Sequence, residues 1–326
     1  MRGIKIVGTG VSLPSEVVTN FDLAQRLDTS DEWISGRTGI RERRIAEPGV
    51  ATSDLCADAV RAACADAGIA PDALDGLIVA TSTTDTLFPS TACWVQRKVG
   101  IKGMPAFDVS AGCSGFLYGL ELATALITSG TMRKVAVVGG EVMSRVVNWN
   151  DRGTCVLFGD GAGAAIVTAG DGTSGMIASN WGADGSLAPI LYQPAGGTRM
   201  PATHETVDAN AHTVHMEGNT VFKHAVIAMS TAAVQAMRDA NIGPDDVSLM
   251  VPHQANLRIM EAARERCGIA REKMYSVLHK YGNMSAATIP VALHEARSEG
   301  RIKDGDVIVS TAFGTGFTWA ACVLRW

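Results

Sequence analysis

The chain has 326 residues, of which 47% are apolar and only 19% charged, so it can bury a large core and does not have the composition of a disordered protein. A net charge of −5 and a pI near 5.8 argue against a nucleic-acid binder relying on a broad basic face. Seven cysteines, odd in number and without a C-x-x-C pair, suggest neither a disulfide framework nor a cysteine-rich zinc site and fit a reducing cytoplasm.

The first residues, Met1-Arg2-Gly3-Ile4-Lys5-Ile6-Val7-Gly8, reach Pro14 before any signal-peptide apolar stretch develops. No apolar run approaches the roughly 18 residues of a membrane span, so no membrane partner is expected. Residues 55–67 are Ala-rich with helical periodicity and end in the turn Ala67-Gly-Ile-Ala-Pro71-Asp72, after which 77–80 reads as a strand. Phe107-Asp-Val-Ser-Ala-Gly-Cys113-Ser-Gly-Phe116 leads from a strand end through small residues into a helix over 117–127. A turn at Gly130 and a strand at 135–138 follow. Gly159-Asp-Gly-Ala-Gly163 reads as a place where two backbones approach closely, and Ala169-Gly-Asp-Gly-Thr-Ser-Gly175 has the composition of a linker.

The second half repeats the first. Ala240-Asn-Ile-Gly-Pro244-Asp245 repeats the turn at Ala67 after 173 positions, again between a helix (226–240) and a strand (249–251). The strand at 307–310 stands 172 positions after 135–138, and helices begin just after both Gly112 and Ser285. An offset near half the chain predicts an α/β protein of two similar halves, 1–171 and 172–326, rather than a solenoid of short repeats.

Three corners carry chemistry. Cys113 at a helix N-terminus meets unpaired amides and a helix dipole that favour the thiolate, and Gly112 and Gly115 permit a sharp turn exposing the sulfur. Val251-Pro-His253-Gln-Ala-Asn256 places His253 directly after a strand, where α/β folds present side chains to a crevice. Tyr281-Gly-Asn283-Met-Ser-Ala-Ala287 reads as a strand-to-helix corner matching the one that holds Cys113. A thiolate that attacks an acyl carbonyl, with neutral His and Asn donors for an oxyanion or enolate, suits thioester chemistry. Ala312-Phe313-Gly314-Thr-Gly316-Phe317 could add backbone N–H groups.

These corners, S-A-G-C-S-G-F, V-P-H-Q-A-N-L-R and Y-G-N-M-S-A-A, resemble the active-site motifs of the beta-ketoacyl-acyl carrier protein synthase III family, and the likeness covers nearly the whole chain. The resemblance implies a thiolase fold of five alternating α-β-α-β-α layers, a homodimer, and cytoplasmic initiation of fatty acid synthesis. It implies that Cys113 accepts the acyl group of a short acyl-CoA, acetyl-CoA foremost, and that malonyl-acyl carrier protein then enters the same tunnel and condenses with loss of carbon dioxide. His253 and Asn283 would hold the enolate oxygen, and the amides of Cys113 and Thr315 the acyl carbonyl oxygen. Thr315 departs from the family's usual Gly, and a positive φ there would strain a β-branched residue.

By the same resemblance, the CoA adenine lies between Trp33 and Arg152 with Arg37 near the phosphates, and Thr29, Gly153, Asn219, Phe222 and Asn256 contact the tunnel and pantetheine. Arg258 and Lys223 would dock the acidic carrier protein. Phe88 would close the partner's acyl pocket and favour short primers. CoA thioester is a substrate, so no cofactor and no metal is implied. The alternatives are another thiolase-fold acyltransferase, such as a ketosynthase of a secondary-metabolite pathway, and, from other classes, a cysteine hydrolase or a zinc module on His212, His215 and His224. Gly8-Thr-Gly10 does not complete a dinucleotide-binding fingerprint.

Overall fold

A computed structural model describes residues 3–326 except Thr173; Met1 and Arg2 at the start and Thr173 in the expected linker lie outside the described residues. Two sheets form the frame. The first orders its strands Ile4–Ser12, Asp160–Ala169, Lys134–Val142, Gly76–Ala80 and Ala106–Val109 from edge to edge. The second runs Gly175–Ala183, Thr318–Arg325, Val307–Gly314 and Leu249–Pro252. Both share one pairing pattern, two antiparallel neighbours and then a parallel pair (Gly76–Ala80 with Lys134–Val142; Leu249–Pro252 with Val307–Gly314). That is the repeat legible in the 173-residue offset.

Two helices, Gly115–Thr128 and Thr288–Ser298, lie between the sheets. The first carries one charged residue, Glu121, in fourteen, as a helix covered on several sides must. Phe116, Leu120, Val137, Val251, Ile289 and Ile308 from both sheets and both helices share one buried cluster. Each such side chain contributes roughly 1.5–3 kcal/mol by leaving water. The helix Thr52–Asp66 covers the outer face of the first sheet and the 22-residue helix Gly218–Asp239 that of the second, completing five layers. Gly139 lets two layers meet closely: a Cβ there would lie 2.1 Å from the carbonyl oxygen of Ala286. The absent side chain lets the corner before Thr288 press onto the first sheet.

A smaller cap of the hairpin Glu16–Thr19 with Glu42–Ile45 and the helix Asp31–Thr38 packs against Met143, Phe158, Met260 and Leu278. Arg43, fully buried, anchors it by donating to the carbonyls of Val18 and Val156 and to Asn20 Oδ1. No helix among the described residues is long and apolar enough to cross a membrane.

Candidate active site

The corner that carries Cys113 is built from the strand Ala106–Val109, a 3₁₀ turn Gly112–Ser114 and the helix from Gly115. Gly112 has φ +54°, and a Cβ on it would stand 2.5 Å from the amide nitrogen of Thr315. Glycine is therefore required twice over, for its left-handed backbone and for the approach of the turn after Val307–Gly314. The same approach brings the Gly314 Cβ position within 2.6 Å of the Cys113 amide nitrogen. Neither the Cys113 nor the Thr315 amide donates a hydrogen bond among the described residues, so both are available to an oxygen entering between these segments. The positive φ of the turn falls on Gly316, at +132°, and not on Thr315, so the β-branched residue carries no strain of that kind.

Cys113 is not exposed as a sharp turn would suggest: it is 8% exposed, on the wall of a cavity of about 760 Å³. Nor does the helix N-terminus leave it a thiolate. Burial pushes its pKa up to about 12, aided by the charge of Glu141 and only partly offset by a hydrogen bond from Ser285. Raised thiols are shared by Cys64 and Cys267, so this does not single out Cys113. The cavity does, because no other cysteine lines it. Replacing Gly112 by alanine is expected to slow acyl transfer to Cys113 by about 10²-fold or more through the displaced Thr315 amide. Mass spectrometry of the acyl-enzyme, beside a thermal melt showing the variant folded, checks it.

His253 follows Leu249–Pro252, with its amide bonded to the carbonyl of Thr311 at 2.8 Å. Its ring is fully buried, edge-on to Phe313 at 5.6 Å, and Phe313 lines the cavity. Burial lowers its pKa to about 3, so the ring is neutral at physiological pH. Nε2 is buried and has no hydrogen-bond partner.

Asn283 lines the cavity, but its corner differs from the expected strand-to-helix form. A short helix, Leu278–Tyr281, precedes it; Gly282 at φ +64° breaks that helix, and a 3₁₀ turn Ser285–Ala287 leads into Thr288–Ser298. The only strand-like feature is the single bridge between Asn283 and Phe158. Asn283 Oδ1 accepts the Ser285 amide at 2.8 Å, which leaves Nδ2 as the outward donor. At the 173 offset, Gly112 matches Ser285, and both have positive φ, +54° and +46°. Cys113 itself therefore corresponds to Ala286, not Asn283.

No motif in the sequence marks Glu141. It is fully buried and accepts from the amides of Ser82 and Thr83 and the hydroxyls of Thr81 and Thr83, the last at 2.6 Å. Burial raises its own pKa against the hydrogen bonds it accepts, and in its ionised form it adds to the rise that burial imposes on the Cys113 thiol.

Trp33, Arg37, Gly153, Asn219, Phe222, Asn256, Arg258 and Thr315 line the same cavity; His253, which lies behind Phe313, and Thr29, Arg152, Lys223 and Phe88 do not. Trp33 is held by the helix Asp31–Thr38, whose N-cap Ser30 accepts the Trp33 amide and whose end is set by Gly39 in the left-handed region. Arg37 and Arg152 both stack on the Trp33 ring, at 4.7 and 5.2 Å from Cζ to centroid. Arg152 also binds Asp28, so the slot expected between Trp33 and Arg152 is closed by the two residues themselves. Asn256 caps the helix Leu257–Arg266 through Arg258 N and donates to the Arg37 carbonyl, tying the two cavity walls together. Arg258 stacks over Phe222 at 5.7 Å, Lys223 is exposed beside it, and Thr29 Oγ1 is buried without a partner.

Residues 107–185 match the family model for 3-oxoacyl-[acyl-carrier-protein] synthase III, and 237–326 the model for its C-terminal part. A beta-ketoacyl-[acyl-carrier-protein] synthase III of Caldanaerobacter subterraneus is 52% identical over 98% of this chain and 97% of its own length. The chain belongs to the 3-oxoacyl-[acyl-carrier-protein] synthase III family. The crystal structure of a synthase III from Aquifex aeolicus superposes with a TM-score of 0.92 at 46% identity, covering 99% of this chain and 100% of that one. A priming beta-ketosynthase of the R1128 polyketide pathway, 32% identical, covers 99% of this chain and 96% of its own with a TM-score of 0.90. As a synthase III the protein is an acyltransferase with the thiolase fold, and the reaction of its family is the condensation that initiates fatty acid synthesis.

Proposed function

We propose that this synthase III takes the acyl group of a short acyl-CoA, acetyl-CoA foremost, onto Cys113 and condenses it with malonyl-acyl carrier protein. The observation that supports this most is one cavity that brings Cys113 and Asn283 together with two unpaired amides, beside a neutral buried His253. In the first half-reaction the Cys113 sulfur attacks the thioester carbonyl, the carbonyl-to-sulfur bond of CoA breaks, and the Cys113 proton is transferred to the departing CoA sulfur, which leaves as the thiol. The amides of Cys113 and Thr315 stabilise the tetrahedral oxyanion. In the second, the malonyl C–C bond breaks, carbon dioxide leaves, and the electron pair passes to the thioester, whose oxygen accepts hydrogen bonds from His253 Nε2–H and Asn283 Nδ2. The carbanion then attacks the acyl-Cys113 carbonyl, and the Cys113 thiolate is expelled and reprotonated.

Adenine binding by Trp33 and Arg152 requires Arg152 to exchange its stacking on the indole and its hold on Asp28 for the base, with Arg37 left beside the phosphates. Thr29, Gly153, Asn219, Phe222 and Asn256 would follow the pantetheine arm, and Arg258 and Lys223 at the rim would meet the acidic carrier. The homodimer reading is supported by the outer edge of Ala106–Val109, a terminal strand of its sheet, with Leu87 and Phe88 80% and 85% exposed on a neighbouring loop. An edge and bare apolar side chains together call for a cover, and a second copy would place its Phe88 at this acyl pocket. A cytoplasmic, cofactor-free enzyme fits this reading.

Intact mass of the protein mixed with acetyl-CoA is expected to rise by one acetyl group, discharged on addition of malonyl-acyl carrier protein as acetoacetyl-carrier protein. Absence of any acylation by short acyl-CoAs would defeat the reading.

A further inference from the structure

The side of the His253 ring away from Nε2 is held by Thr288, the first residue of the helix Thr288–Ser298. Thr288 Oγ1 lies 2.6 Å from His253 Nδ1 and 3.0 Å from the carbonyl oxygen of Ser285. A hydroxyl has one hydrogen, so it donates to one of these and not to both. The lengths decide between them: 2.6 Å falls within the range of O–H donors and below that of N–H donors, whereas 3.0 Å to the carbonyl is at the long limit for a hydroxyl. The carbonyl of Ser285 loses nothing by this, because it already accepts the Thr288 amide. The ring is neutral, so a proton taken by one nitrogen is denied to the other.

We propose that Thr288 is a positioning residue whose hydroxyl, donating to Nδ1, holds His253 as the Nε2–H tautomer, so that a neutral imidazole offers a donor rather than a lone pair to the extender's thioester oxygen. Its catalytic consequence rests on the roles given above to His253 and Asn283; the tautomer itself does not. Asn283 is fixed in the same sense, since its Oδ1 is taken by the Ser285 amide and only its N–H bonds face outward. One corner, residues 283–288, thus sets the polarity of both groups. The sequence resemblance does not mark Thr288, and nothing in its local pattern separates it from any threonine at a helix start.

The test is nitrogen NMR of the full protein labelled at histidine, with Thr288→Ser and Thr288→Val beside wild type. In wild type and Thr288→Ser, Nδ1 is expected to be unprotonated and hydrogen-bonded, with the proton on Nε2. In Thr288→Val the hydrogen-bond shift at Nδ1 is lost, and condensation from preformed acyl-Cys113 falls about 10²-fold while acylation of Cys113 stays within about twofold. A proton on Nδ1 of the wild-type ring, or a Thr288→Val enzyme that condenses at the wild-type rate, overturns the proposal. If Thr288→Val does not fold, the wild-type and serine spectra still decide. A wild-type enzyme that never releases carbon dioxide from malonyl-acyl carrier protein would defeat the functional roles and leave the tautomer standing or falling by its spectrum.

Discussion

Replacing Cys113 by alanine is expected to remove acyl transfer altogether: no mass gain from any acyl-CoA, and turnover lowered by about 10⁴-fold or more, since no other thiol lines the cavity and its serine and threonine hydroxyls are far weaker nucleophiles. Cys113 is the one cysteine on the cavity wall, and the five other buried or partly buried thiols with raised pKa values, at Cys56, Cys64, Cys155, Cys267 and Cys322, have no access to it. The alanine leaves only a small void at a site already beside open space, so the fold should survive. Persistence of the acyl adduct in Cys113→Ala would show that another residue carries it.

The protonation state of that nucleophile adds a second reading of the same residue. A helix N-terminus lowers a thiol's pKa, but desolvation opposes it, and here desolvation wins, leaving the resting group as the thiol with a pKa of about 12. Because only the thiolate alkylates, the rate of iodoacetamide addition at Cys113 should rise about tenfold per pH unit from 7 to 9 without a plateau. A plateau below pH 8 would mean that the dipole and the Ser285 hydrogen bond outweigh burial. On the proposed mechanism the resting thiol must give up its proton before or during acyl attack, and the two free amides would take up the charge on the carbonyl oxygen.

What the sequence made legible and what it hid divide along physical lines. The duplication was visible because apolar runs, Gly-containing turns and helix ends recur at a fixed offset, and the two sheets do share strand order and pairing. The corner of Cys113 was visible because small residues on both sides of a cysteine are unusual. The Asn283 corner was read as strand-to-helix because apolar and small residues surround it; the short helix Leu278–Tyr281 is ended by Gly282, and four residues carry no period. Ser285 is legible only as a helix start and Thr288 not at all, because their importance lies in a positive φ and a 2.6 Å contact to a residue 35 positions away. The burial of Cys113 is not legible in its sequence, because a tight turn bends the chain without saying what covers it. The closed contact of Trp33 with Arg152 is likewise a matter of side-chain placement, in which an indole and a guanidinium without a base between them attract each other.

His253→Ala and Asn283→Ala are expected to separate the two half-reactions. Each should still gain one acetyl group from acetyl-CoA, because neither side chain is needed for attack by Cys113. Each should then release carbon dioxide from malonyl-acyl carrier protein about 10²- to 10³-fold more slowly, the cost of one donor to an oxyanion in a site shielded from water. The two losses should not add, since an enolate oxygen held by one donor shifts to shorten the bond that remains. The pH dependence carries the sign of the mechanism. Burial depresses the His253 pKa to about 3, so between pH 5 and 8 the ring stays neutral and the decarboxylation rate should not rise as the medium becomes acidic. A rate that climbed as pH fell through 6.5 would identify an imidazolium donor, incompatible with a ring that has no counter-charge among its contacts. A flat profile with acylation intact in both variants is the outcome that a neutral donor pair, fixed by the corner at residues 283–288, requires.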